Sequence, residues 1–360
     1  MESTIGVALL GHGTVGGGVA ALLAKRRAQI ERRAGVKFTL HGVANRSCDP
    51  FALVEDRRVD VVIECMGGTT VALDCIERAL ELRKHVVTAN KDAIGTQGPR
   101  LRALAEAKGV TLRYEAAVAS AVPIISVLQH ALGGDEILEI GGVLNGTCNF
   151  ILGALGEGQT FPAALAAAQR EGYAEADPRN DIEGVDAAHK LAILIQHAFG
   201  EAVVSPRIPR RGITGITSAS VRQARQHGYE LKLVAYARKD GGALCAEVAP
   251  VLVPFNHVFA RVKGVDNAVR VVGASSGPLL FTGAGAGREP SAAAVIGDVV
   301  STMRAIAERH GVTRLPGTHL DAPLEIEPAF AQFPAFAGYP VLYAPAHLPA
   351  TFRAPVLVEA

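Results

Sequence analysis

The sequence has almost no net charge and few cysteines, and both shortages exclude classes of function. Its 36 lysines and arginines balance 35 aspartates and glutamates, which leaves a formal net charge of +1. A chain so close to neutrality lacks the basic surplus that binds nucleic acid or an anionic membrane. The 5 cysteines are scattered and form no CxxC pair. This pattern argues against a disulfide framework or a zinc site and predicts a reducing compartment.

Long hydrophobic runs are missing as well. The longest apolar run, residues 116–127, is short and contains Pro123 and two serines, so we expect no segment that spans a bilayer. The first residues, MESTIGVALLGHG, lack the basic region of a signal peptide. We therefore expect a cytoplasmic protein. The 49% hydrophobic content of its 360 residues is enough for two packed domains.

Short apolar runs alternate with helical patterns in the first third of the chain. The runs predict strands at residues 5–10, 38–44, 59–64, 85–89 and 110–114, and helical spacing follows in the later part of 11–33 and at 71–83 and 98–108. Buried strands that alternate with helices indicate a parallel sheet covered on both faces. The predicted fold class is therefore α/β with a doubly wound parallel sheet.

Gly11, Gly13 and Gly16 form a GxGxxG motif between the first strand and the following helix. In this context the motif indicates a Rossmann-type dinucleotide site. Gly11 allows the tight turn, Gly13 lets a pyrophosphate approach the backbone, and Gly16 lets helix and strand pack closely. The phosphates would lie at a helix N-terminus, where free N–H groups favour anions. The alternative is a glycine-rich turn that binds no ligand.

The end of the second strand bears on the choice of cofactor. An NAD site usually offers an acid to the ribose hydroxyls there, whereas this chain has Asn45 and Arg46. Arg46 suits the additional 2′-phosphate of NADP. Asp49 lies three residues further on and could serve NAD instead. We expect NADP as the preferred cofactor, with NAD as the alternative.

The segment 172–191, GYAEADPRNDIEGVDAAHKL, combines five acids with a terminal lysine. Asp186 and Lys190 are four residues apart, so on a helix they share one face. Such a cluster can bind a cationic substrate and can fix the protonation state of the lysine. The alternative is a solvated loop that leads into a helix with one ordinary salt bridge.

Eight segments follow one another in a characteristic order: LLGHGTVGGGV at 9–19, ECMGGT at 64–69, VVTANKDAI at 86–94, EAAVASAVPII at 115–125, GGVLNGTCNFIL at 141–152, GYAEADPRNDIEGVDAAHKLAIL at 172–194, GYELKL at 228–233 and GAGAGREPSAAAVIGDVV at 283–300. With them the chain resembles the homoserine dehydrogenase family. The resemblance implies NAD(P)-dependent interconversion of L-homoserine and L-aspartate 4-semialdehyde, a step in threonine and methionine biosynthesis. It also implies a homodimer or homotetramer paired through the second domain.

The resemblance gives roles to individual residues. Lys91 and Lys190 are the implied catalytic residues, one or both handling the hydroxyl proton, with Lys190 the stronger candidate. A lysine acts as a base near neutral pH only if its pKa falls, which desolvation or a second ammonium can cause. The implied substrate-binding residues are Glu175, Asp181, Asp186, Gly146 and Thr147. The implied cofactor-binding residues are Gly11, Gly13, Thr14, Val15, Gly16, Arg46, Asn90 and Lys91.

A further implied site is a structural one for a monovalent alkali cation. It would consist of Glu115 with the backbone carbonyls of Val118, Ser120 and Val122, since hard cations take oxygen ligands. The family usually has glycines where this chain has residues 119–121, ASA. If those positions need positive φ, the side chains here cost strain. His12, His189 and His197 lack metal-ligand spacing.

Beyond residue 130 the pattern becomes α+β, with strands expected at 136–143, 229–237 and 243–253 and helices at 161–172, 185–199 and 290–310. We divide the chain into a dinucleotide-binding domain at 1–130 and an α+β substrate-binding and dimerisation domain at 131–298. A helix at 299–315 would pack back on the nucleotide domain. Residues 316–360 are a proline-rich tail, too short for a regulatory domain.

Two other functions stay open from the sequence. One is a related dehydrogenase that acts on a different small amino-acid alcohol or semialdehyde, which the altered residues 119–121 would allow. The other is a weakly active NADP-binding protein with a regulatory role. The presence of Lys91, Glu175, Asp186 and Lys190 together argues against this second alternative.

Overall fold

The computed structural model describes residues 4–308 and three two-residue strands at 326–327, 335–336 and 339–340. Residues 1–3, the end of the predicted helix at 309–315 and the rest of the predicted tail at 316–360 lie outside the described residues. Within the described part, no helix is both long and apolar enough to cross a membrane.

The first sheet has five parallel strands in the order β2-β1-β3-β4-β5. Its strands are β1 Thr4–Leu10, β2 Lys37–Ala44, β3 Val61–Glu64, β4 His85–Thr88 and β5 Leu112–Arg113. This arrangement confirms the predicted Rossmann-type parallel sheet. The strand order reverses between β1 and β3, and ligands of such sheets bind at the carboxyl ends of the strands at this point.

Five helices connect these strands: α1 Thr14–Lys25, α2 Arg27–Ala34, α3 Pro50–Glu55, α4 Val71–Glu81 and α5 Lys91–Lys108. The predicted start of α5 at residue 98 is wrong, because the helix begins at Lys91. The side chain of Asn90 caps it by accepting a hydrogen bond from the N–H of Ala93 at 3.0 Å. Gly95, Gly98 and Pro99 had obscured the helical pattern in this first half.

A short 3₁₀ helix, Glu115–Ala117, leads through α6 Ile124–Ser126 and a π-helical turn, Val127–Ala131, to the second sheet. This sheet has the strand order β10-β9-β6-β7-β8-β11, antiparallel except for β11, which is parallel to β8. Its strands are β6 Ile137–Val143, β7 Tyr229–Asp240, β8 Ala243–Pro254, β9 Asp266–Gly273, β10 Gly277–Ala284 and β11 Ile326–Glu327. Strands β12 Ala335–Phe336 and β13 Tyr339–Pro340 pair with each other.

The helices that accompany the second sheet are α7 Gly146–Gly156, α8 Phe161–Arg170, α9 Arg179–Ile182, α10 Val185–Phe199 and α11 Ser218–Gln226. Two short 3₁₀ helices, Ser205–Arg207 and Val258–Arg261, complete this part. Helix α10 packs against both β7 and α5. Since α5 leaves the first sheet at the end of β4, this contact brings the carboxyl edge of that sheet to the acidic segment.

Helix α12, Arg288–Ala307, returns to the first sheet and packs against α1 and α2. Its residues Ala292, Val295, Val299 and Met303 share one buried cluster with Val7 and Leu9 of β1, whereas Ala8 and Leu10 face the opposite cluster. This alternation is that of a strand buried on both faces. The boundary that we placed between residues 298 and 299 lies inside this continuous helix.

Candidate active site

The turn between β1 and α1 has the geometry of a phosphate-binding loop. Gly11 has a φ of +94°, and a Cβ added to it would lie 2.7 Å from the Cys65 carbonyl. A Cβ on Gly16 would lie 1.9 Å from the Gly11 oxygen, so helix and strand touch there. Gly13 faces space that no described residue fills within 4 Å. Thr14 and Val15 open the helix with no side-chain cap, so their N–H groups are available to an anion.

The neighbouring loop after β3 is held by a buried acid that the sequence reasoning left without a role. Glu64 accepts hydrogen bonds from the N–H groups of Met66 at 2.6 Å and Gly67 at 2.9 Å, and from the Thr88 hydroxyl at 2.5 Å. Burial raises the pKa of Glu64. The end of a buried strand in the motif ECMGGT was the only available signal.

Asn90 connects this loop to the first catalytic candidate. Its Nδ2 donates a hydrogen bond to the Gly68 carbonyl at 2.7 Å, while its Oδ1 caps α5. Lys91 is the first residue of that helix. Asn90 therefore fixes Lys91 at the carboxyl edge of the sheet and ties it to the loop that follows β3.

Arg46 and Asp49 differ in what they are already bound to. Asp49 caps α3 by accepting a hydrogen bond from the Phe51 N–H at 2.9 Å. Arg46 is exposed in the turn after β2, and no ion pair of residues 4–308 includes it. A free guanidinium at this strand end is the donor that a 2′-phosphate needs.

Asp186 lies between the two lysines. Its Oδ1 is 2.9 Å from Lys91 Nζ, and its Oδ2 is 2.8 Å from Lys190 Nζ. Lys190 also donates a hydrogen bond to the Leu144 carbonyl at 2.7 Å. Asp186 and Lys190 are buried, while the side chain of Lys91 is 41% exposed. The i,i+4 salt bridge predicted from the sequence is therefore present, and Lys91 at the start of α5 joins it.

The charged groups of this cluster shift one another's pKa values. Burial by itself would raise the pKa of Asp186, but the ammonium groups of Lys190 and Lys91 outweigh burial and lower it. The same carboxylate raises the pKa of Lys91 against the opposing effect of burial. Lys91 therefore stays protonated at neutral pH in this arrangement, which differs from the lowered lysine pKa that a base would need.

Asn145 is a second residue whose role the sequence reasoning missed. Its Nδ2 donates to Asp181 Oδ1 at 2.7 Å and to Asp186 Oδ2 at 2.9 Å. Its Oδ1 accepts from the Cys148 N–H and so caps α7. An asparagine immediately before a helix in the turn LNGT was the signal. Asn145 thus ties the acid pair to the start of α7.

Asp181 has more capacity for a ligand than Asp186. It is half-buried, and among the described residues its side chain accepts one hydrogen bond, from Asn145. Burial, and then the neighbouring charge of Asp186, raise its pKa. Glu175 differs from Asp181 and Asp186 because its side chain is exposed, and no ion pair among residues 4–308 includes it.

The N-terminus of α7 lies beside the acid pair and is only partly capped. Gly146 and Thr147 are its first two residues, and Asn145 caps only the third N–H, that of Cys148. The Thr147 hydroxyl donates to the Tyr173 carbonyl at 2.6 Å. The backbone N–H groups of Gly146 and Thr147 therefore remain for a carboxylate.

The proposed cation ligands lie in one turn, but the carboxylate among them is already hydrogen-bonded. Glu115 accepts from the Ile125 N–H at 2.7 Å, from the Ser126 N–H at 2.8 Å and from the Ser126 hydroxyl. Burial raises the pKa of Glu115. Three donors leave roughly one of its four lone-pair sites. One carboxylate and three backbone carbonyls are all oxygen ligands, the type that an alkali cation prefers.

The same turn is strained, as the sequence predicted for positions that need positive φ. Ala119 has a φ of +53° and Ser120 a φ of +36°. The Ser120 hydroxyl lies 2.9 Å from the Ser291 hydroxyl at the start of α12. Left-handed backbone with a Cβ costs about 1–2 kcal/mol per residue. The turn keeps its shape at that cost because both residues are buried between the two sheets and α12.

We expect Ala119→Gly to destabilise the protein by about 1–2 kcal/mol less than Ala117→Gly. Both changes remove one buried methyl from the same segment, but only Ala119 has positive φ. Urea unfolding of the two variants measures the difference. Equal free energies of unfolding would show that the turn holds no strain.

Among the described residues, no group of three or more His, Cys, Asp and Glu side chains could hold a metal ion. His197 is a satisfied core residue, with its Nε2 3.0 Å from the Tyr114 hydroxyl and its Nδ1 3.3 Å from Gln129. His189 lies on α10 at the face that meets Gly95 of α5.

Comparisons with known proteins point to one family. The family model "Homoserine dehydrogenase, NAD binding domain" matches residues 11–115, and the model "Homoserine dehydrogenase" matches residues 123–300. The homoserine dehydrogenase of Pseudomonas aeruginosa is 42% identical over 314 residues, which are 83% of this chain and 72% of that protein.

Solved structures show the same likeness. The crystal structure of a homoserine dehydrogenase from Thiobacillus denitrificans has a TM-score of 0.87 and 40% identity, covering 92% of this chain and 81% of that one. A hyperthermophilic archaeal homoserine dehydrogenase mutant in complex with NADPH has a TM-score of 0.72 and 26% identity, covering 83% and 98%. The chain belongs to the homoserine dehydrogenase family.

Proposed function

We propose that the protein catalyses the NAD(P)-dependent interconversion of L-homoserine and L-aspartate 4-semialdehyde. The observation that carries this proposal is the pairing of Lys91 and Lys190 on Asp186. The pair lies where α5 leaves the carboxyl edge of the parallel sheet, the same edge at which the phosphate turn follows β1. The nicotinamide cofactor, when bound, would supply hydride transfer to or from the alcohol carbon, so the chain itself must supply binding, orientation and a proton path.

The two charged ends of homoserine match two sites that the fold supplies. The substrate carboxylate fits the N–H groups of Gly146 and Thr147 at the start of α7. The ammonium fits Asp181, which has spare acceptor capacity, with Glu175 as a second, exposed acid. Binding both ends directs the third functional group, the alcohol, to a defined place.

The proton of that alcohol is assigned to Lys190. Two of its three N–H groups bond to Asp186 and Leu144, which leaves one for the substrate oxygen. When the semialdehyde is reduced, this N–H donates the proton to the oxygen; in the reverse direction the neutral amine receives it. Lys91, held charged by Asp186, donates a hydrogen bond that stabilises negative charge on the same oxygen.

The direct test is NADPH oxidation by purified protein with aspartate semialdehyde as substrate. Turnover that depends on the semialdehyde supports the proposal, and its absence contradicts it. A related dehydrogenase for another small amino-acid alcohol is the second candidate, because Ala119 and Ser120 strain the turn beside the site. The same assay with homologous semialdehydes separates the two, since the better substrate has the higher kcat/KM.

We further propose NADP as the preferred cofactor, and Arg46 as the residue that selects it. Arg46→Ala should raise KM for NADPH about 10–100-fold, because it removes a charge-assisted hydrogen bond to the 2′-phosphate. KM for NADH should change less than about twofold by the same reasoning. Steady-state kinetics with both cofactors measure the two constants.

Asp49→Asn is the matched control, since asparagine keeps the cap of α3 but removes the charge. If Asp49 served NAD instead, this variant would raise KM for NADH and Arg46→Ala would affect both cofactors equally. That pattern would reverse the assignment.

An alkali cation at the 115–122 turn is also a proposal. Glu115, with one lone-pair site left, and the carbonyls of Val118, Ser120 and Val122 would hold it. Thermal unfolding in potassium or sodium chloride, compared with tetramethylammonium chloride at equal ionic strength, tests this. A melting temperature independent of the cation would rule out a structural ion.

The proposed assembly is a homodimer or homotetramer that pairs through the second sheet, where Leu138 of β6 and Leu280 of β10 are exposed. Light scattering coupled to size-exclusion chromatography gives the number of subunits, and a monomer would contradict the proposal. We also propose a cytoplasmic location, which the five free cysteines support. Detection of the protein outside the cytosolic fraction would contradict it.

A further inference from the structure

His189 lies between the helices that carry the two lysines. It precedes Lys190 on α10, and Asp92 follows Lys91 on α5. His189 Nε2 is 3.8 Å from Asp92 Oδ1, and its Nδ1 is 2.6 Å from the Ser205 hydroxyl. The side chain of His189 is 12% exposed. Its ring thus bridges α5, α10 and the 3₁₀ helix Ser205–Arg207.

The two helices also approach closely at this ring. A Cβ added to Gly95 of α5 would lie 2.8 Å from both the Cβ and the Nδ1 of His189. Gly95 is four residues after Lys91, so both are on the face of α5 that meets α10. The spacing of α5 and α10 one helical turn after Lys91, where the His189 ring meets Gly95, therefore helps to set the distance between Lys91 and Asp186.

The surroundings of the ring favour a neutral imidazole. Burial lowers the pKa of His189, with Lys91 and Arg210 acting in the same direction and the carboxylates of Asp92 and Asp186 opposing. A neutral ring has one donor and one acceptor nitrogen. With the Nε2–H directed at the Asp92 carboxylate 3.8 Å away, Nδ1 is free to accept the hydrogen bond from the Ser205 hydroxyl.

We infer that His189, braced by Asp92 and Ser205, is a positioning residue that keeps Lys91 on Asp186 by fixing α5 against α10. The inference rests on the proposed reaction, because its consequence is the rate of turnover. No contact of His189 with substrate is implied. Its effect passes through Lys91, and small displacements of a positioned group are costly to catalysis.

The test compares His189→Ala with His189→Gln, which can restore a donor to Asp92. We expect kcat of His189→Ala to fall about tenfold, with KM for NADPH within about twofold and partial recovery in His189→Gln. The basic limb of the kcat profile should move to lower pH in His189→Ala. Asp186 raises the pKa of Lys91, and a looser pair raises it less.

A double-mutant cycle with Lys91→Ala decides whether the effect passes through the lysine. If it does, His189→Ala changes kcat by less than about twofold in the Lys91→Ala background. Exposed His227 at the end of α11 supplies the control, and His227→Ala should behave as the parent. Melting temperatures of all variants show whether each protein is folded.

An unchanged kcat in His189→Ala, or equal fold-losses in both backgrounds, would overturn the positioning role while the proposed function survived. A lower kcat with an unmoved pH profile would show that the pair of Lys91 with Asp186 is unchanged, and would overturn it too. A parent protein without any turnover would instead overturn the proposed function, and the inference with it.

Discussion

Lys190→Ala is expected to lower kcat by about 10²–10⁴-fold, the usual contribution of a positioned acid–base group. Lys190 is buried, and its one uncommitted N–H is the donor assigned to the substrate oxygen. Alanine removes that donor. No other side chain of the cluster is held by both Asp186 and the Leu144 carbonyl, so none can replace it. Steady-state kinetics in both directions measure the effect.

The Michaelis constant should change much less than kcat, because the substrate ends are bound elsewhere, at α7 and at Asp181. Lys263→Ala is a suitable control, since this lysine is 71% exposed and its contact with Glu230 is 3.8 Å. Retention of near-parental kcat by Lys190→Ala would contradict the proton-transfer role. The family assignment would be unaffected by that outcome.

Much of the first sheet could be predicted because its signals are local. Buried strands appear as short apolar runs, and a GxGxxG turn after the first of them requires a specific backbone shape. The structure bears this out at Gly11, where positive φ and the carbonyl of Cys65 leave no room for a side chain. Helix α10 was predicted for the same reason, since its apolar spacing is uninterrupted from Val185 to Phe199.

The first half of α5 could not be predicted from spacing. Two glycines and Pro99 weaken its helical pattern, and what fixes the helix is a cap from Asn90 together with packing against α10. Gly95 is a poor helix former that serves close approach to His189. Local propensity and tertiary contact conflict here, and the contact decides.

The candidate site divides in the same way. The pair Asp186 and Lys190 follows from helical spacing, whereas the ion pair of Asp186 with Lys91 joins residues 95 positions apart. The buried anchors Glu64 and Asn145 act through long-range hydrogen bonds, which leave no periodic trace in the sequence. Their neighbours in the motifs were recognised, but their bonding required the fold.

Asp186→Ala is expected to cost about 3–5 kcal/mol of unfolding free energy at pH 7, because it leaves the buried ammonium of Lys190 without its anion. Folding lowers the pKa of Asp186. Its contribution is therefore complete above the unfolded value of 3.8 and is lost as pH falls through the folded value. Urea unfolding at pH 7 and at lower pH measures both effects.

The double variant Asp186→Leu with Lys190→Met separates the ion pair from the packing. It removes both buried charges, so it should be more stable than Asp186→Ala even though it is inactive. The Leu144 carbonyl keeps the hydrogen bond from Asn267 Nδ2 at 3.0 Å, and Asn145 keeps its bond to Asp181. Lys91 can turn into solvent, since its side chain is already partly exposed.

Asp181→Ala is the matched control for loss of a carboxylate. Asp181 is half-buried and forms no ion pair within 4.0 Å among residues 4–308, so its removal should cost only about 1 kcal/mol. If Asp186→Ala were no more destabilising than Asp181→Ala, or if the double variant were the least stable of the three, the buried ion pair of Asp186 with Lys190 would not be a major source of stability. In that case helix packing alone would position the two lysines, and Asp186 would act only by compensating their positive charge.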